Sequence, residues 1–232
     1  MKKLIVLFLF FILALVSCGS PSTNDKGSSD LTKTDLAEIY SEAADFMLDV
    51  SRGGTETVRL GYVESNEHST LNSTVAMIKL ISLLYEAESF VISEEFVQFK
   101  VSIANNIVNM AFLSEEYIED NKLLATLIYT VDDDFNFEQC MFLHFDIDYN
   151  FETKEILGFE VKTSMAKEPN NHFKYENGKF YEYSPSSSID EEINDNTIVL
   201  VEKYFAKTLN STIIDADYGN EYAAAMQYAF GE

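Results

Sequence analysis

Residues 123–161 read LLATLIYTVDDDFNFEQCMFLHFDIDYNFETKEILGFEV, and their apolar side chains recur at every second position. Leu123, Ala125, Leu127, Tyr129 and Val131 fall on one side of an extended chain. Met141, Leu143, Phe145 and Ile147 do the same, followed by Leu157, Phe159 and Val161. Successive side chains of a strand point to opposite faces, so a period of two marks strands with one buried face. Three antiparallel strands are therefore predicted. Farther on, residues 173–175 and 179–183 flank Glu176-Asn177-Gly178. Asn-Gly favours a hairpin, because both turn positions tolerate positive φ. The sheet is thus expected to be an antiparallel meander of about five strands.

Helical spacing lies on both sides of it. Apolar residues at 36, 39, 40, 43, 46, 47 and 50 form a stripe of period 3.6 that starts after Asp35, with Glu38 three residues on, and stops at Gly53-Gly54. Val58, Leu60 and Tyr62 alternate as in a short strand or crossover, and 71–88 reads as a second helix. The stretch 94–112 fits both periods and is expected to be helical through 96, 99, 103, 107 and 110. Ser188 and Glu191 have capping-box spacing, and Asp190, Glu191 and Glu192 suit the positive end of a helix reaching to about Leu209. Residues 222–230 predict a last short helix. Helices before and after a meander make an α+β domain, with the N-terminal and C-terminal helices packed on the sheet's apolar face.

The chain begins Met-Lys-Lys, continues as the apolar run Leu4 to Val16 and turns polar at Ser17-Cys18-Gly19. That is the charged, apolar and small-residue order of an export signal, and the run is shorter than the roughly 20 residues needed to span a bilayer. Leu15-Val16-Ser17-Cys18 resembles the lipobox of bacterial lipoproteins. The resemblance implies that Cys18 is lipidated and becomes the N-terminus. It covers about the first 20 residues and implies location and processing, without any activity for the rest. Residues 19–30 contain no large apolar side chain, the composition of a flexible tether. The expected organisation is therefore a leader at 1–17, a lipidated cysteine and tether at 18–30, and one globular α+β domain at 31–232. The expected location is the extracytoplasmic side of the cell membrane, with the lipid as the membrane partner.

A net charge of −23, which becomes −25 once Lys2 and Lys3 leave with the leader, makes nucleic acid a poor partner and repels anionic headgroups. With Cys18 acylated, Cys140 has no partner in its own chain, so core burial must stabilise the domain without a disulfide. The chain contains none of the motifs G-x-S-x-G, G-x-x-x-x-G-K, G-x-G-x-x-G and C-x-x-C, and its three histidines lack zinc spacing. Asp132, Asp134 and Asn136 mimic the opening of a calcium loop, and Asp146, Asp148 and Asn150 repeat it. Phe137 and Phe151 then stand where the loop's glycine belongs, and Leu143 and Leu157 where its bidentate glutamate belongs. These residues read as turn formers. No cofactor and no metal site is expected, and no catalytic residue is assigned.

The candidate binding residues lie on the sheet's second face. Pairing Ile128 with Phe142 sets Thr126 beside His144, and a tight turn after Asp148 would set Glu160 on the other side of the histidine. Leu124 and Ile156 share that face. An adjacent carboxylate stabilises imidazolium, so His144 is expected to titrate above 6.5. Function is read as a binding or interaction module for a protein or small-molecule partner. The alternatives are an extracytoplasmic hydrolase whose carboxylates converge on folding, and a divalent-cation-dependent adhesion protein.

Overall fold

A computed structural model describes residues 31–231 except 51, 53–54, 61–66, 132–134, 166–167 and 184–190. The leader, the lipobox, the tether, Ser188 and the acidic run 132–134 lie outside the described residues. Residues Leu31–Glu232 group into one compact unit.

The unit is α+β, but among the described residues its sheet has nine strands instead of about five. In chain order the elements are α1 (Lys33–Asp49), β1 (Glu56–Leu60), α2 (Glu67–Glu86), β2 (Val97–Ile103), β3 (Asn106–Tyr117), β4 (Lys122–Thr130), β5 (Met141–Asn150), β6 (Glu155–Met165), β7 (Glu168–Glu176), β8 (Lys179–Tyr183), α3 (Glu191–Lys207), β9 (Thr212–Asp217) and α4 (Gly219–Phe230). Strands β2 to β8 form an unbroken antiparallel meander. Parallel strands close both sides, β1 along β8 and β9 along β2.

The expected helix at 94–112 is the β2–β3 hairpin. It turns at Ala104, which adopts φ 54° and allows Ser102 to pair with Ile107. Val97, Phe99 and Val101 point into the core, so alternation overrides the helical reading. Asn177 and Gly178, with φ of 52° and 78°, make the β7–β8 turn that the Asn-Gly signal predicts.

Helix α1 begins at Lys33, earlier than the sequence suggests, because Thr32 and Asp35 form its capping box. The Asp35 carboxylate accepts from Thr32 N at 2.8 Å, and Thr32 Oγ1 accepts from Asp35 N at 3.2 Å. Its stripe of Leu36, Ile39, Tyr40, Ala43 and Met47 is buried. Lys33 donates to the carbonyls of Ala87 and Phe90 and ties α1 to the end of α2. Helix α2 packs against both α1 and α4. These three helices and the sheet face bearing Leu123, Ala125, Leu127, Leu143, Phe145, Phe159 and Val161 make the larger core.

Helix α3 lies on the opposite face, which corrects the expectation that all helices cover one side. Val201 and Tyr204 pack there with Phe96, Ala111, Leu113, Ile128, Cys140 and Phe142. The second face is apolar enough to require this cover. Cys140 is a buried thiol in that cluster and is not in a disulfide. Among the described residues no helix is long and apolar enough to cross a membrane.

Of the repeated Asx residues, Asn136 and Asn150 form turns, whereas Asp146 and Asp148 stand within β5 and are not the turn formers that the sequence suggests. Asn136 Oδ1 accepts from Glu138 N at 3.1 Å, and Asn150 Oδ1 accepts from Glu152 N at 2.9 Å and Thr153 N at 3.0 Å. These are side-chain mimics of a backbone turn and need no ion.

Candidate functional site

The register pairs Thr126 with His144 and Ile128 with Phe142, as the sequence suggests. Thr126 Oγ1 and His144 Nδ1 are 2.9 Å apart. Glu160 is not on the same rung. A register shift between Asp148 and Tyr149 leaves Leu157 without a partner, so Asp148 pairs with Gly158 and Tyr149 with Ile156. His144 consequently faces Lys162, while Glu160 sits opposite Asp146. The same bulge turns Ile156 toward the larger core.

The Thr126–His144–Phe142 row is roofed by α3. The Tyr204 ring lies 5.3 Å from the His144 ring, and the Phe142 ring is stacked 6.3 Å away at 9°. Tyr204 is held by its hydroxyl, which donates to Glu115 at 2.7 Å, and Lys207 reaches the other oxygen of that carboxylate at 3.1 Å. Thr126, Phe142 and His144 are all buried beneath it. Burial pushes the His144 imidazole down to about 4, with Lys162 adding to the effect against the weaker pull of Glu160 and Glu115. The sequence-based expectation of a raised value is thus reversed, first because the ring is buried beneath α3 and second because Lys162 stands where Glu160 was expected. A neutral imidazole at this place is a packing and hydrogen-bonding element.

Glu160 has another partner. His172 Nε2 donates to its Oε1 at 2.6 Å, and Lys162 Nζ lies 3.5 Å from the same oxygen. Burial opposes ionisation of Glu160, but the His172 hydrogen bond and the charge of Lys162 outweigh it and hold the carboxyl at about 2. Beyond α3 the second face forms a polar cleft of about 330 Å³ lined by Lys122, Asp146, Asp148, Glu160, Lys174 and Glu176. Its floor is Gly158, where an added Cβ would approach the Tyr175 carbonyl oxygen to 2.8 Å. Lys122 pairs with Asp146 at 3.0 Å and Lys174 with Glu176 at 2.8 Å, so most of its charge is internally matched. Glu42 and Glu116, the carboxyls that burial pushes upward, do not line it. Among the described residues no three His, Cys, Asp or Glu side chains are placed to hold a metal ion.

A second concavity is apolar. At the opposite end of the sheet, on the face of α1, α2 and α4, a cleft of about 320 Å³ opens between two helices and five strands. Helix α2 contributes Ser73, Thr74 and Met77, and α4 contributes Tyr222 and Met226. The strands contribute Ile103, Val108, Met110, Tyr129, Met141, Leu143 and Thr163, and Val131 follows β4 at the mouth. Four of the seven methionines in the chain line this one space. Among the described residues, none that lines it is a Lys, Arg, His, Asp or Glu. Burial, with Tyr222 nearby, pushes the Tyr129 phenol up to about 12, and burial also raises Tyr222, so both are neutral at physiological pH. The volume is about twice the roughly 150 Å³ that accommodates benzene in an engineered apolar cavity, and sits at the small end of ligand pockets.

Of the thirteen lining residues, Leu143, Tyr129, Val131 and Met141 lie on a core face predicted by the period of two, and Met77 and Met226 lie within predicted helices. That α2 and α4 leave this end of the face uncovered depends on tertiary placement, for which the periodicities carry no signal. The chain matches no protein-family model, no curated protein and no solved structure.

Proposed function

We propose that the protein is a lipid-anchored binding module on the extracytoplasmic side of a bacterial membrane, with the uncharged, methionine-lined cleft as its ligand site. The cleft is the observation that carries the binding reading. It is concave, apolar and preformed, with hydroxyls from Ser73, Thr74, Thr163 and Tyr222 among apolar walls, the general makeup of a small-molecule site. Methionine suits such a wall because its unbranched, polarisable side chain adapts to the guest. The anchoring half of the proposal rests on the lipobox-like Leu15–Cys18 segment, since acyl chains on one cysteine give stable attachment at about 0.8 kcal/mol per buried methylene.

Each half has its own test. Cells expressing the full chain are fed radioactive palmitate. Label should enter the wild type and not the Cys18→Ala variant, and equal labelling of both would overturn the anchor. For the ligand site, Nile red, a neutral apolar dye, is titrated against the full chain and its Val131→Asp variant. Val131 is 73% exposed, so the substitution spares the core. The variant should lose a saturable component of dye fluorescence, whereas identical titrations would remove the cleft as a binding site.

A further inference from the structure

The apolar surface of the cleft does not end at its mouth. Val131, one of its lining residues, is 73% exposed, and Met165, paired in register with the lining residue Met141, is 58% exposed. Large apolar side chains this exposed and continuous with a pocket mark the track of a ligand that extends beyond it. A compact ring of benzene size would sit wholly inside about 320 Å³ and leave both side chains in water. An unbranched chain would fill the cleft and then cover them.

The lining sets the head group as well. Transferring a charged head into a site with no opposite charge is strongly unfavourable, and among the described residues none that lines this cleft is basic. The chain's net charge of −23 further repels anions. Building on the binding reading above, we propose that the cleft binds the single unbranched alkyl chain of a neutral amphiphile, taken up as a free monomer, with the distal part of that chain lying across Val131 and Met165.

The test is displacement of Nile red from the full chain by 1-alkanols from hexanol to dodecanol. The difference between wild type and Val131→Asp isolates dye in the cleft from dye on other apolar segments. Each added methylene should tighten binding about fourfold until cleft and rim are covered, after which affinity levels off. Met165→Asp should leave the short alkanols unchanged and weaken the longest ones. Alkyl carboxylates of equal length should bind several-fold more weakly than the alkanols. Dye displacement that does not climb with chain length, or that a compact ring such as benzyl alcohol matches, would overturn the alkyl-chain assignment while leaving the cleft as a site. Equal binding of carboxylates and alkanols would overturn the neutral head group. Absence of any wild-type minus Val131→Asp dye signal would instead remove the binding reading on which the assignment stands.

Discussion

Acidification from pH 7 to pH 5 should destabilise the protein through His144, and the size of the effect follows from its surroundings. His144 is 6% exposed, stacked against Phe142, in tilted ring contact with Tyr204 and bonded to Thr126. Its imidazole is depressed to about 4 in the fold, against about 6.5 in an unfolded chain. The unfolded state therefore takes up the proton first. The contribution of neutral His144 is fully present above pH 6.5 and is lost as the pH falls from there toward 4. The whole shift corresponds to about 3 kcal/mol, of which about 2 kcal/mol is gone by pH 5. Against a typical total of roughly 5–15 kcal/mol, that is a large loss. Urea unfolding followed by circular dichroism at pH 7, 6 and 5 measures it, with His144→Gln as the comparison. Glutamine retains polar hydrogen-bonding atoms and has no proton to gain in this range. Glu42 and Glu116, whose carboxyls partial desolvation pushes upward, contribute alike to both proteins, so the difference between them isolates the histidine. The wild type should lose about 2 kcal/mol more than the variant. Parallel losses in the two proteins would refute the claim that His144 is buried and neutral beneath α3.

Glu160→Gln should destabilise the fold at pH 7 by on the order of 2 kcal/mol, since the wild-type carboxyl is held at about 2 by His172 and Lys162 despite its burial. That advantage is present above pH 4.5 and is lost as the pH falls toward 2, so thermal melts of wild type and variant should converge there; a gap that persisted would contradict the ion-pair account. Gly158→Ala should cost about 1–3 kcal/mol in urea unfolding, because its Cβ would meet the Tyr175 carbonyl oxygen at 2.8 Å and force β6 and β7 apart. A neutral substitution would mean that the strands yield freely at this point.

The strands with one side buried against α1, α2 and α4 were legible because alternation leaves an unmistakable period, and the Thr126–His144 rung followed from pairing across a single turn. The next rung is displaced by two residues: the turn between Asn150 and Glu155 is one residue longer than a pairing of His144 with Glu160 requires, and the bulge at Leu157 inserts another, which nothing in Lys154-Glu155-Ile156-Leu157 distinguishes from continued pairing. The β2–β3 hairpin was obscured for a related reason. Its turn passes through Ala104 at φ 54°, a conformation more usual for Gly or Asn, so the chain carries no punctuation between two strands whose apolar residues also happen to fit a helix. Strand β9 is the least legible. Thr212, Ile213, Asp215 and Asp217 are exposed on both of its faces, and it owes its extended form to β2 beside it. The apolar cleft was visible only as core residues, since a surface left uncovered by helices is a property of their packing.

The two parallel strands at the sides of the sheet bear on how the molecule is built in time. Each hairpin of the meander joins neighbours in the chain and can close early, but Glu56 must find Lys179 and Val97 must find Thr212. Closing such long loops is entropically unfavourable until most other contacts exist, so these pairings belong to the last stage of folding. Until then β2 and β8 present unpaired backbone to other chains, a template for intermolecular strand addition. The vulnerable species is therefore a nearly complete meander waiting for its outer strands, and a chain cut short before β9 would keep β2 open.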